Sequence, residues 1–177
     1  MPVFLEGRLE IIRADLTTLQ VDAIVNAATP SLQGGGGVDG AIHRAAGPDL
    51  LKECKTLGSA RPGEVKLTRG HRLPARHVLH AVGPIWRGGG AGERAQLAAC
   101  YWNAMQLAVS KGLRSLAFPS ISTGVYKYPV AEAARVAVSE VRDGLRRWPQ
   151  LERVILCCFS DEDRATHLAA ARELLGG

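Results

Sequence analysis

Apolar residues recur along this chain in two rhythms. Short runs at Leu9–Ile12, Val21–Ala27, Glu64–Thr68, His77–Val82, Ser115–Pro119 and Arg153–Phe159 have the length of β-strands. The second is apolar almost throughout, as a strand buried on both faces is. Elsewhere the apolar positions fall three or four apart. Val38, Ile42 and Ala45 or Ala46 share one helical face. Gly47-Pro48 interrupts it, and Leu50 or Leu51, Cys54 and Leu57 resume it up to a capping Gly58. Leu97, Cys100 or Tyr101, Ala104 and Ala108 make a stripe along a helix from Glu93 to Ser110. Val130, Ala134, Ala137, Val141, Leu145 and Trp148 do the same after Pro129, until Pro149 stops them. In the last helix Ser160 is the expected cap, with Asp163 three residues on, and Ala165, Leu168, Ala171 and Leu175 form the face. Strands alternating with helices predict an α/β fold, a mostly parallel sheet with helices on both faces, in one domain over residues 1–177.

In such sheets ligands sit beyond the carboxyl ends of the strands. Four polar segments follow strands here: Asp15, the stretch Asn26–Val38, the stretch Ser120–Tyr126, and Phe159–Asp161. If those strands are parallel, the segments meet on one edge. In the second, Gly34 to Gly37 clear side chains from the backbone just before a helix begins, which lets amides approach an anion. Neither the phosphate-loop lysine motif nor the dinucleotide glycine spacing is present, so the loop is a phosphate cradle of another kind. Around it, single residues carry two readings each. Asp39 either caps the helix start or orients a water beside the anion. Asn26 is either a turn residue or a partner for ribose hydroxyls. Asp15 is either a turn residue or an acceptor for an exocyclic amino group. His43, one turn after Asp39, reads as a buried structural histidine. Ser120, Ser122 and Thr123 read as a phosphate-contacting loop rather than a nucleophile, since no Gly-x-Ser-x-Gly elbow is present. Tyr126 and Phe159 are aromatics that pack against a ribose or base, core packing being the alternative for Phe159. The run Gly88–Gly92 reads as a flexible loop.

Composition narrows the class. The chain has 177 residues, 46% hydrophobic and 22% charged, as ordinary globular domains are. Its formal net charge is +5, but the basic residues are scattered and aromatics are only 5%, which argues against a nucleic-acid stacking platform. Cys54, Cys100, Cys157 and Cys158 have neither metal-ligand nor disulfide spacing, and the histidines have no metal spacing among them. No metal or cofactor is expected. No apolar run spans a bilayer and no signal-peptide pattern opens the chain, so a cytoplasmic protein is the expectation.

Several runs taken together resemble the macrodomains of the MacroD type: Val21-Asp22-Ala23-Ile24-Val25-Asn26-Ala27-Ala28, Gly34 through His43, Ala45-Ala46-Gly47-Pro48, Val82-Gly83-Pro84, and Phe118 through Tyr126. The resemblance covers nearly the whole chain in order. It implies a three-layer α/β/α fold around a mixed sheet, with ADP-ribose as ligand and no metal. It implies that Asp15 bonds the adenine amino group and the amide of Leu16 the ring. It also implies that Gly36, Gly37 and Val38, with Ser122, Thr123, Gly124, Val125 and Tyr126, embrace the diphosphate, and that Asn26 and Asp39 face the distal ribose. Thr29 stands where the family usually has a second asparagine; it keeps a hydroxyl but loses the amide's donor pair.

The function implied is hydrolysis of O-acetyl-ADP-ribose and of the ester joining ADP-ribose to acidic side chains of mono-ADP-ribosylated proteins, with Asp39 and Asn26 as catalytic residues. The alternatives are a reader that binds ADP-ribose without turnover and a phosphatase acting on ADP-ribose 1″-phosphate.

Overall fold

The computed structural model describes residues 3–176; residues 1, 2 and 177 of the expected domain lie outside them. Seven strands, β1 (Val3–Phe4), β2 (Leu9–Arg13), β3 (Ala23–Ala28), β4 (Val65–Arg69), β5 (His77–Val82), β6 (Ser115–Phe118) and β7 (Arg153–Cys158), form one sheet in the order β1-β2-β7-β6-β3-β5-β4. The five inner strands run parallel, and β1 and β4 are antiparallel edges. The helices are α1 (Gly37–Ala46), α2 (Pro48–Lys55), α3 (Glu93–Ser110), α4 (Val130–Arg147) and α5 (Asp161–Leu175).

Successive strand residues point to opposite faces, so Ile24 and Val78 join one core and Val25 and Leu79 another. The first core is closed by Ile42 of α1 and by Leu50 and Cys54 of α2. The second is closed by Leu97 and Met105 of α3, Val141 of α4 and Leu168 of α5. This is the expected α/β/α sandwich. Ile24, Val25, Leu79 and Leu97 are fully buried, each contributing ~1.5–3 kcal/mol relative to exposure. None of the described helices is long and apolar enough to cross a membrane.

Local chemistry sets the element ends. Val21 and Asp22 fall outside β3 because Asp22 turns to its neighbours: its carboxylate accepts from the amides of Arg114 (2.7 Å) and Ser115 (3.2 Å), tying the starts of β3 and β6 together. Ser160 caps α5 as expected. Its Oγ accepts from the Asp163 amide at 3.1 Å, and Asp163 Oδ2 accepts from the Phe159 amide at 3.3 Å. Gly58 does not cap α2, which closes at Thr56, two residues earlier. The Gly88–Gly92 segment is not a free loop either. The Glu93 carboxylate accepts from the amides of Arg87 (2.9 Å), Gly89 (2.9 Å) and Ala91 (2.6 Å) and pins it. Those amides, Arg87 first, pull the Glu93 pKa down to about 2.

Since β2, β3, β6 and β7 are parallel, their carboxyl ends lie along one edge. Asp15, the glycine loop, the Ser120–Tyr126 segment and Phe159 are thereby brought to the same rim.

Candidate functional site

The glycine loop leaves β3 and enters α1. Gly34 has φ +95° and Gly37, the first residue of α1, has φ +58°, a conformation that a β-carbon disfavours. The helix is capped by Gly36, which brings no side chain to the first-turn amides. These amides and the positive end of the helix dipole are the elements of an anion site. Across from it, the segment after β6 carries Ser122 at φ +67° and Lys127 at φ +61°, strained for residues other than glycine. The Ser122 hydroxyl is buried without a hydrogen-bond partner among the described residues. It lies against Gly83, where any β-carbon would collide with Ser122 Oγ and with Ile121. Thr123 Oγ1 donates to Ser120 Oγ at 2.8 Å, and the Tyr126 carbonyl accepts from the Trp86 amide at 2.8 Å. Trp86 and Tyr128 pack with ring centroids 4.7 Å apart and planes tilted at 54°, stapling this segment to the end of β5.

Between the two loops lies a buried polar string. Asn26 is 0% exposed at the heart of β3, and its Nδ2 donates to Asp39 Oδ1 at 2.8 Å. The same nitrogen stands 3.1 Å from His80 Nδ1 on β5. Asp39 is 3% exposed, and His43 Nε2 lies 3.4 Å from its Oδ1. Burial raises the Asp39 carboxyl above its ordinary value, opposed by the Asn26 hydrogen bond and by His43. Asp39 Oδ2 and Asn26 Oδ1 are buried acceptors with no partner among the described residues. A β-carbon at Gly35 would meet Asp39 Oδ2 at 3.2 Å and the Thr29 methyl at 3.3 Å, so this oxygen faces the glycine loop beside Thr29. The Thr29 hydroxyl is 3.3 Å from Ser31 Oγ.

At the far end of the rim, Asp15 caps the 3-10 turn Leu16–Thr18. Its Oδ1 accepts from the Thr17 amide (3.0 Å) and hydroxyl (2.7 Å). Leu16 is buried. Phe159 is 91% exposed, which removes the core-packing alternative, and Val125 is 91% exposed opposite in the other loop. A large apolar ring held in solvent at a strand end is a surface for stacking a flat ligand.

The fold and this geometry agree with known proteins. The Macro domain family profile matches residues 25–137. This chain belongs to the macro domain family. A macro domain-containing protein of Chlorobaculum tepidum is 57% identical over 155 residues, 88% of this chain and 90% of the relative. A protein of an Enterobacter species named O-acetyl-ADP-ribose deacetylase is 51% identical over 163 residues, 90% of this chain and 91% of its own. Among solved structures, the Oceanobacillus iheyensis macrodomain with ADP superposes with a TM-score of 0.89 at 42% identity, covering 94% of this chain and 90% of that one. The Trypanosoma brucei macrodomain in complex with ADP-ribose superposes at 0.88 and 44% identity, covering 93% and 69%.

Three contributors to this macro domain's candidate site were given no role by the sequence. His80 and Thr68 lie within predicted strands, and Gly83 ends a strand and belongs to a run shared with the family. Pairing of β3, β5 and β4 brings His80 against Asn26 and Thr68 against His80. Cys158, Asp163 and His167, which have no ligand spacing in sequence, each place a ligand atom within 4.8 Å of the others. His167 Nδ1 donates to the Asp163 carbonyl at 2.8 Å, so only its Nε2 has a lone pair for a metal.

Proposed function

We propose that this macro domain binds ADP-ribose along the rim and hydrolyses esters at its distal ribose. Its substrates are O-acetyl-ADP-ribose and ADP-ribose esterified to acidic side chains of mono-ADP-ribosylated proteins. The observation that carries the reading is the pair of buried, unpartnered acceptors, Asn26 Oδ1 and Asp39 Oδ2, set between a helix start with no side-chain cap and a strained loop. Phosphate groups repel a carboxylate. What suits these oxygens is a polyhydroxyl group or a water held next to the anion site. In this account the amides of Gly36, Gly37 and Val38 and the segment Ser122–Tyr126 take the diphosphate. Phe159 packs on the adenine, Asp15 accepts from its amino group, and the Leu16 amide bonds its ring. Asn26 Oδ1 accepts from a ribose hydroxyl. Asp39 Oδ2 accepts from a water and takes its proton as it attacks the ester-bearing end of the ribose. The ester bond breaks, and water's hydrogen and hydroxyl end on the two products, a free carboxylic acid and ADP-ribose. A positioned general base contributes ~10²–10⁴-fold, and a raised carboxyl pKa makes Asp39 a better one.

Substituting Asp39→Ala tests the assignment. Turnover is expected to vanish while ADP-ribose still binds by calorimetry and the thermal midpoint is retained; wild-type turnover would refute it. One observation favours a reader without turnover: the Thr29 hydroxyl already faces Ser31, so this position offers the ribose little.

A further inference from the structure

The buried string does not end at Asn26. His80 Nε2 lies 2.9 Å from Thr68 Oγ1 on β4, and Thr68 Oγ1 in turn donates to the Arg69 carbonyl at 3.1 Å. His80 and Asn26 are 0% exposed and Thr68 is 2% exposed, so no water competes for the contacts of His80 with Asn26 and Thr68.

With Asp39 ionised and the Thr68 hydroxyl donating to the Arg69 carbonyl, one proton arrangement satisfies every contact along the string. A carbonyl only accepts, so the Thr68 hydroxyl spends its hydrogen on Arg69 and offers a lone pair to His80. His80 Nε2 must therefore carry the hydrogen. The imidazole is neutral, since burial, aided by His43, lowers its pKa to about 3. A neutral ring protonated at Nε2 has a bare Nδ1. Facing it, Asn26 must present its amino group and not its carbonyl. That group's second hydrogen goes to Asp39 Oδ1, so that oxygen must be an acceptor. Asn26 Oδ1 and Asp39 Oδ2 are then the atoms left over, and both are among the buried atoms without a partner in the described residues, as is the neighbouring His43 Nε2. The other side chains around the string agree. Cys54 Sγ on α2 is 3.7 Å from His80 Nε2, and burial lifts its pKa to about 11, keeping it a thiol. His43 on α1 approaches Asp39 on Oδ1, the same oxygen.

We propose that His80 is a positioning residue: by its Nε2–H tautomer, held by Thr68, it sets the orientation of the Asn26 amide, which donates to Asp39 Oδ1, stabilises the carboxylate and leaves Oδ2 free for the attacking water. Without it, Asn26 is free to turn its carbonyl toward Asp39, which accepts that contact only as a protonated acid and is then no base. His80 itself lies behind Asn26, away from the ligand. Its loss should lower kcat by more than it weakens ADP-ribose binding, since the Asn26 carbonyl it orients also meets a ribose hydroxyl in the proposed complex. The kinetic consequence rests on the hydrolase reading; the proton arrangement does not.

The test has two arms. In ¹⁵N-labelled wild-type protein, nitrogen NMR is expected to show His80 protonated on Nε2 and bare on Nδ1 across about pH 5–8, where an unperturbed histidine titrates. A ring protonated on Nδ1, or a charged ring at neutral pH, overturns the proposal whatever the protein hydrolyses. In the second arm, His80→Leu removes the acceptor, and His80→Asn keeps an oxygen near the position of Nδ1. For folded His80→Leu, kcat is expected to fall by at least ~10-fold, part of the ~10²–10⁴-fold a positioned base supplies, with a smaller loss of ADP-ribose affinity. His80→Asn should recover most of that loss. Wild-type kcat in His80→Leu, or equal losses in kcat and affinity in both variants, contradicts the role. If the wild-type protein releases neither acetate nor ADP-ribose, the hydrolase reading fails, and the NMR arm still decides the tautomer.

Discussion

Single residues at this site carry opposing demands. Folding buries Asp39 and raises its pKa, which costs stability at neutral pH. A residue held against its own solvation is expected where a carboxylate serves as a base. His80 shows the linkage in the other direction. Its folded pKa lies below its unfolded value, so at intermediate pH the unfolded chain binds the extra proton. The stability His80 contributes is therefore full above ~6.5 and is lost as pH falls toward about 3, on the order of 5 kcal/mol by the end of that window. Urea midpoints measured at pH 7, 5 and 4 should drop more steeply for the wild type than for His80→Asn, which has nothing to protonate there. Parallel lines would contradict the assignment. Thr29 is the residue whose consequence is kinetic. If the missing amide limits turnover, Thr29→Asn raises kcat on O-acetyl-ADP-ribose; an unchanged rate removes that explanation.

At the scale of elements, the apolar rhythms located strands and helices well because burial, which they report, is what the elements were selected by. β3 reads as buried on both faces and is, with Asn26 as its one polar interruption. The two-residue β1 was not foreseen, being too short to have a rhythm. Partners of side chains were the illegible part. Nothing local marks Gly83 as the seat of Ser122, because that depends on a contact between segments, and Glu93, which clamps the preceding Gly88–Gly92 segment, reads as an ordinary acidic residue in a helix's first turn. Gly83 offers a direct check of the loop it supports. Gly83→Ala forces Ser122 and Ile121 to move, and such overpacking costs ~1–3 kcal/mol. The thermal midpoint should fall and ADP-ribose affinity should weaken, because the displaced loop is the one placed on the diphosphate. A variant with wild-type affinity and midpoint would show that the loop tolerates the change.

For the whole molecule, parallel pairing does the organising. Residues as far apart in sequence as Asp15, Asn26, Ser122 and Phe159 share a rim because β2, β3, β6 and β7 all end there. That convergence was legible from the alternation of elements. The connection of Asn26 through His80 to Thr68 was not, since it runs across strands and needs the register of β3 on β5 and of β5 on β4. The rim is a candidate for binding a nucleoside diphosphate sugar in any case; the claim at stake is that it also turns one over. The most direct measurement is product release by the wild-type protein, with acetate followed from O-acetyl-ADP-ribose and labelled ADP-ribose followed from a protein modified on its glutamates and aspartates. The account predicts release from both, lost in Asp39→Ala. Calorimetric binding of ADP-ribose with no release from either substrate would contradict it and leave a reader.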